Sequence, residues 1–166
     1  VASMPGKLAG RVVQSTTHRV VHERAGLLIE ALPKRTPVDF VLTDWPNEVV
    51  AVTSAFTLSV DLLDKPAEFK PSTDPAVACL DADRLAFPLH IRLWKQGDKL
   101  RPLGLKGHKL VSDLLNDLKL SRTEREQTVV LVSGGEIAWV VGRRIDHRFR
   151  VSAQTRKVAC FTYNKK

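Results

Sequence analysis

Arg92-Leu93-Trp94-Lys95-Gln96-Gly97-Asp98-Lys99-Leu100-Arg101-Pro102-Leu103-Gly104-Leu105-Lys106-Gly107-His108-Lys109 changes character partway along its length. Leu89–Trp94 alternates apolar and polar residues, which predicts a strand. From Gly97 the chain becomes a loop, with glycines at 97, 104 and 107 and six Lys/Arg between positions 92 and 109. Glycine admits backbone conformations in which successive N–H groups converge on one concavity, and such nests bind phosphate oxygens. Lysine and arginine neutralise phosphates and release counterions, and this release supplies much of nucleic-acid affinity. A plain solvated surface loop has the same composition, so composition alone leaves both readings open.

Working outward, Ser112 is placed to cap a short helix, with Asp113 near its positive end. Leu114, Leu115 and Leu118 then fall on one face. Ser121-Arg122-Thr123-Glu124 is a capping-box pattern opening a second short helix. Thr128–Val132 and Glu136–Val141 flank Ser133-Gly134-Gly135 and read as a hairpin. Arg156–Tyr163 reads as a last strand. Upstream, His18–His22 and Leu27–Leu32 form a hairpin candidate, and Val38–Leu42, Val49–Val52, Phe56–Leu62 and Ala76–Leu80 read as further strands. Three prolines between 66 and 75 mark a boundary. The expectation is therefore a β-rich α+β chain. A smaller, mostly β segment (1–75) precedes a basic, strand-rich domain (76–166) with two short helices.

Charge divides the same way. Residues 1–83 carry 8 Lys+Arg and 11 Asp+Glu, residues 84–166 carry 18 and 7, so the halves stand at −3 and +11. The second half should attract a polyanion. A second basic cluster, Gly142-Arg143-Arg144-Ile145-Asp146-His147-Arg148-Phe149-Arg150, follows the hairpin. In an extended stretch Arg144, Arg148 and Arg150 share a face and Arg143 points away. Asp146 can hold one arginine by a bidentate pair.

No catalytic set stands out. Ser133-Gly134-Gly135 lacks the Asp of the SGGxDS pyrophosphate loop and reads as a turn. His18 and His22 lack the Glu of HExxH, and the other histidines are scattered, so no metal site is expected. Asp81 and Asp83 fit a turn. Cys79 and Cys160 lie far apart without a CxxC and read as buried free thiols in a reducing, cytoplasmic setting. No apolar run reaches membrane-helix length. The chain begins at Val1 with no signal-peptide pattern and reads as a piece of something longer.

Two separated motifs carry a resemblance. The first is Arg92…Gly97-Asp98…Arg101-Pro102-Leu103-Gly104…Gly107…Lys109…Ser112-Asp113…Asp117…Lys119. The second is Ile137-Ala138-Trp139-Val140-Val141-Gly142…Arg144-Ile145-Asp146…Arg148-Phe149…Val151. In this order they resemble the C-terminal domain of bacterial tRNA(Ile)-lysidine synthetases, over about residues 76–163, with the first half similar to the Bacteroidetes-type form. The resemblance implies a sandwich-like domain similar to one in the phenylalanyl-tRNA synthetase β subunit. It implies a parent ligase that uses ATP and Mg2+ to adenylate C2 of the wobble cytidine of a CAU-anticodon tRNA(Ile), after which lysine displaces AMP. That chemistry belongs to an N-terminal SGGxDS domain, so this fragment is expected to hold no catalytic residue and no cofactor.

The implied partners are tRNA(Ile), bound around the acceptor stem, and the enzyme's own catalytic domain. A homodimer or scaffold with incidental basic charge is the alternative. The residues expected to bind RNA are Lys99, Arg101, Gly104, Lys106, Gly107, Lys109, Arg122, Arg125, Arg144 and Arg148. Asp98, Asp113, Asp117 and Asp146 are expected to orient cations or cap helices. Family members often carry consecutive lysines where this chain has His108-Lys109, so the resemblance implies that one phosphate contact is either weaker or made by His108.

Overall fold

A computed structural model describes residues 12–14, 18–23, 26–31, 38–46 and 49–166. The chain divides into two compact units, Val1–Pro37 and Val38–Lys166. In the first, strands β1 (Val12–Gln14), β2 (His18–Glu23) and β3 (Gly26–Ala31) form an antiparallel meander. The β2–β3 pair is the hairpin the sequence predicts, with Arg19 opposite Glu30 and their side chains 2.9 Å apart.

The second unit holds two sheets. One has β4 (Asp39–Leu42), β8 (Leu89–Leu93), β11 (Val129–Ser133), β12 (Glu136–Val140) and β13 (Arg144–Ile145), in the order β13-β12-β11-β8-β4. The other has β5 (Val49–Val52), β6 (Phe56–Asp64), β7 (Val77–Asp81) and β14 (Lys157–Lys165), in the order β5-β6-β14-β7. A short pair, β9 (Lys99–Leu100) and β10 (Lys109–Leu110), closes the basic loop. Helix α1 spans Val111–Asp117 and α2 spans Arg122–Glu126.

Two cores explain the arrangement. Phe56, Leu58, Val60, Leu80 and Phe161 from one sheet meet Leu89, Ile91, Leu131 and Trp139 from the other, which is a sandwich core. The reverse face of the five-stranded sheet, Val130, Val132, Ile137 and Val140, is covered by Val111, Leu114 and Leu115 of α1 and by Leu100. Strand β11 is therefore buried on both faces, and an unbroken apolar run, Val129 to Val132, is what such a strand requires. Each large aliphatic side chain buried there contributes about 1.5–3 kcal/mol. The Gly134-Gly135 turn has φ of 55° and 80°, the positive pair that a type I′ hairpin demands.

Several expectations need correction. The division expected at 75/76 falls inside the second unit, because β4, β5 and β6 pair into its sheets. The proline run joins β6 to β7, and it breaks regular structure without separating domains. Ser112 does not cap α1. Leu110 is the N-cap and makes no side-chain cap bond, since β10 leads straight into the helix. Ser121, in contrast, forms the full capping box with Glu124. The cysteines are not free: Cys79 and Cys160 are register partners on β7 and β14 and are joined as a disulfide.

Candidate nucleic-acid interface

The basic loop stands on a fixed base. Arg92 donates from both terminal nitrogens to the Asp98 carboxylate at 2.8 and 3.0 Å, and the Lys95 N–H donates to it at 2.7 Å. Burial pushes the Asp98 carboxyl up, but these bonds outweigh it and hold it below its ordinary value. The backbone N–H of Val111 donates to the Asp98 carbonyl at 2.8 Å, tying the loop's base to the start of α1. Between β9 and β10 the chain makes an excursion over 101–108. Gly104 stands third in the Pro102–Leu105 turn with φ of 79°, a position that excludes most side chains.

The excursion is stitched to the second motif at Asp146, whose side chain is fully buried. Its carboxylate accepts from the Arg101 N–H (2.7 Å), the Arg148 N–H (2.8 Å) and the Arg148 guanidinium through Nε (3.0 Å) and Nη2 (2.8 Å). The His147 N–H donates to the Arg101 carbonyl at 2.7 Å, and the Asp146 N–H donates to the Ala138 carbonyl at 2.9 Å. Ala138 is the extra residue of a β-bulge, where the β11–β12 register shifts between Leu131 and Val132. Burial raises the Asp146 carboxyl, while Arg148 and the two N–H donors hold it low. The two motifs that stood apart in sequence thus meet on one carboxylate.

Asp146 also caps a 3-10 turn over His147–Phe149, so the segment is not extended and Arg144, Arg148 and Arg150 do not follow strand alternation. Arg148 is engaged by Asp146 and, at 2.9 Å, by Glu136, which raises its pKa further. Its carbonyl accepts from Arg84 at 2.9 Å. Arg101 is exposed and donates from Nε to His108 Nε2 at 3.1 Å, while Lys109 pairs with Asp117 and Arg122 with Glu126. Among the described residues, Lys99, Lys106, Arg125 and Arg144 form no ion pair, and Lys99, Lys106 and Arg144 are exposed. Gly107 has φ of 87° with open space around it. Asp113 lies in the first turn of α1, exposed.

Beside this surface lies a cavity of about 380 Å³, walled by Pro71, Pro75 and Leu103 and rimmed by Arg143, Arg144 and Arg150. Glu136 and Arg84 belong to the same network and carried no signal in the sequence, because their partners come from across the hairpin and from a distant turn. Among the described residues, no three His, Cys, Asp or Glu side chains are grouped to hold a metal ion. The Ser133-Gly134-Gly135 turn serves the hairpin and forms no nucleotide cradle.

Known proteins match this chain in sequence and in fold. The family described as TilS substrate C-terminal domain matches residues 89–160. The chain is 40% identical over 155 residues to the tRNA(Ile)-lysidine synthase of Parabacteroides distasonis, across 92% of this chain and 34% of that protein. It is 36% identical over 118 residues to the tRNA(Ile)-lysidine synthase of Bacteroides thetaiotaomicron, across 69% of this chain and 28% of that one. The chain therefore spans about a third of the length of these relatives. A solved structure titled as a TilS C-terminal domain aligns with a TM-score of 0.65 at 15% identity, over 76% of this chain and 97% of that one, a likeness of fold. With the family's domain over residues 89–160 and relatives matching up to 92% of its length, the chain belongs to the TilS C-terminal domain family.

Proposed function

We propose that this chain is the tRNA-binding C-terminal part of a tRNA(Ile)-lysidine synthase and grips the acceptor stem of tRNA(Ile) by its backbone. The observation that carries this reading is the junction at Asp146, which locks an exposed cationic loop against the second basic motif. Lys99, Arg101, Lys106 and Arg144 contact phosphates, and Arg125 extends the surface. Lys109 and Arg122 exchange a surface carboxylate for a phosphate, a swap that exposed pairs allow because they are worth little. Gly104 and Gly107 bring backbone N–H groups close to phosphate. Arg148 acts through the loop it positions. Recognition is by shape and phosphate spacing, since the A-form major groove is too narrow for side chains to read.

In this reading the parent enzyme is cytoplasmic. It uses ATP with Mg2+ to activate the wobble cytidine for attack by lysine, in a catalytic domain that docks with this one. Among the described residues no three His, Cys, Asp or Glu side chains group to hold Mg2+, and this reading assigns that step to the catalytic domain. The test is competitive binding of full-length tRNA(Ile), an acceptor-stem minihelix and an anticodon-stem hairpin. The minihelix should compete nearly as well as the tRNA, and equal or better competition by the hairpin overturns the acceptor-stem role. A scaffold or dimer role draws on the exposed Val49 and Val52 of edge strand β5. It requires an assembly that persists at high salt.

A further inference from the structure

A second cavity, of about 330 Å³, lies on the other side of Arg143 and uses none of the loop residues. Its walls come from the end of α2 (Glu124, Gln127), the turn at Gly142-Arg143 and the C-terminal strand (Tyr163, Lys165). The Tyr163 ring is half-buried against Phe56, with centroids 5.5 Å apart. The Gly142 turn packs on that ring, where a Cβ would make an ordinary 3.5 Å contact, and its φ of 71° is what calls for glycine. Burial pushes the Tyr163 hydroxyl up, keeping it protonated as a donor. Among the described residues, the side chains of Tyr163, Gln127, Arg143 and Lys165 form no hydrogen bond and no close ion pair, although Arg143 and Lys165 lie near enough to act on the Glu124 charge. Glu124 gives one carboxylate oxygen to the Ser121 N–H at 2.9 Å, and the bonds from Ser121 keep it ionised, helped by Arg143 and Lys165. An aromatic wall, two cations and an acceptor beside an amide therefore converge on a space sized for one small ligand.

We propose that this cavity receives one unpaired nucleotide of RNA, with its base along Tyr163, its phosphate between Arg143 and Lys165, and its base edge toward Gln127 and Glu124. Stacking needs a flat base, and the paired cations need a phosphate. An ionised carboxylate accepts only, so it favours a base whose edge offers donors, guanine first. The inference rests on RNA being the partner, but it concerns a site separate from the backbone-gripping loop.

The test uses the full chain in two arms. In the first, the isotope-labelled chain is titrated with guanosine 5′-monophosphate and followed by NMR. Shifts at Gly142, Gln127, Tyr163 and Lys165 are expected; shifts confined to 97–109, or none, overturn the site. In the second arm, a minihelix with a single-stranded 3′ overhang is compared with the blunt minihelix. The overhang should tighten binding on the order of tenfold. Gln127→Ala with Lys165→Ala, both at exposed positions, should reduce that gain to less than twofold and leave blunt-helix affinity unchanged. Tyr163→Phe should keep the gain and Tyr163→Leu should lose it. If the overhang gives no gain while the blunt helix binds, the cavity proposal fails and the loop reading stands. If the mononucleotide marks the cavity while no minihelix binds, the loop reading fails and the cavity stands.

Discussion

Asp146→Asn keeps the size of the side chain and removes the charge that joins the two motifs. The native carboxylate accepts four hydrogen bonds, two from backbone N–H groups and two from Arg148. An amide in its place has one acceptor oxygen, and its NH2 must face a donor. Removing one partner of a buried ion pair costs about 3–5 kcal/mol. Arg148 keeps Glu136, and its side chain is 26% exposed, so the low end applies, about 3 kcal/mol. That is a large fraction of the ~5–15 kcal/mol that holds a domain folded. The assay is urea denaturation of wild type, Asp146→Asn, Arg148→Met and the double variant. The double variant should lose clearly less than the sum of the singles, because the buried charge and its partner leave together. Protection of the Arg101 N–H from hydrogen exchange should fall with Asp146→Asn. A loss under about 1 kcal/mol with additive singles would refute the junction as the organising contact. The acid limb gives an independent check. The folded carboxyl is held below its unfolded value, about 3.9, so its contribution is complete above that pH and fades as pH falls through the folded value. The stability gap between wild type and Asp146→Asn should stay constant from pH 7 to about 5 and narrow below about 4.

Three further outcomes rest on the same contacts. Gly104→Ala forces a side chain into φ of 79°, so it should cost about 1–2 kcal/mol locally and weaken tRNA binding without changing its salt slope; an altered slope would mean that charge, not turn shape, had changed. Ser121→Ala removes the capping box and should cost about 1 kcal/mol in urea denaturation; an unchanged midpoint would show that the cap does not hold α2. The disulfide joins residues 81 apart, so reduction should destabilise the unit by up to about 4–5 kcal/mol; an unchanged urea midpoint with and without reductant would show that the bond does not form in solution.

Local signals carried most of the fold. Strand β11, the type I′ turn and the capping box each rest on residues within a few positions of one another, where propensity and spacing speak directly. The basic loop and its glycines were visible for the same reason. The remaining features depended on distant partners. Asp146 was visible as an orienting acid for an arginine, but its grip on the Arg101 N–H spans the loop, the helices and a hairpin. Glu136 meets Arg148 only because the Ala138 bulge and the 3-10 turn bring them together. The cysteines pair because β7 and β14 lie in register, which no spacing rule shows. The boundary was misplaced because prolines break a sheet edge and a domain linker alike.

The central claim is that Lys99, Lys106 and Arg144 grip RNA phosphates on a loop positioned by Asp146. The most direct measurement is the salt dependence of acceptor-stem minihelix binding for wild type and for the triple variant Lys99→Ala/Lys106→Ala/Arg144→Ala. Each phosphate contact adds about 0.9 to the slope of log K against log salt, so the variant should bind more weakly with a slope shallower by about two to three. Unchanged affinity and an unchanged slope, in a variant that remains folded, would contradict the account.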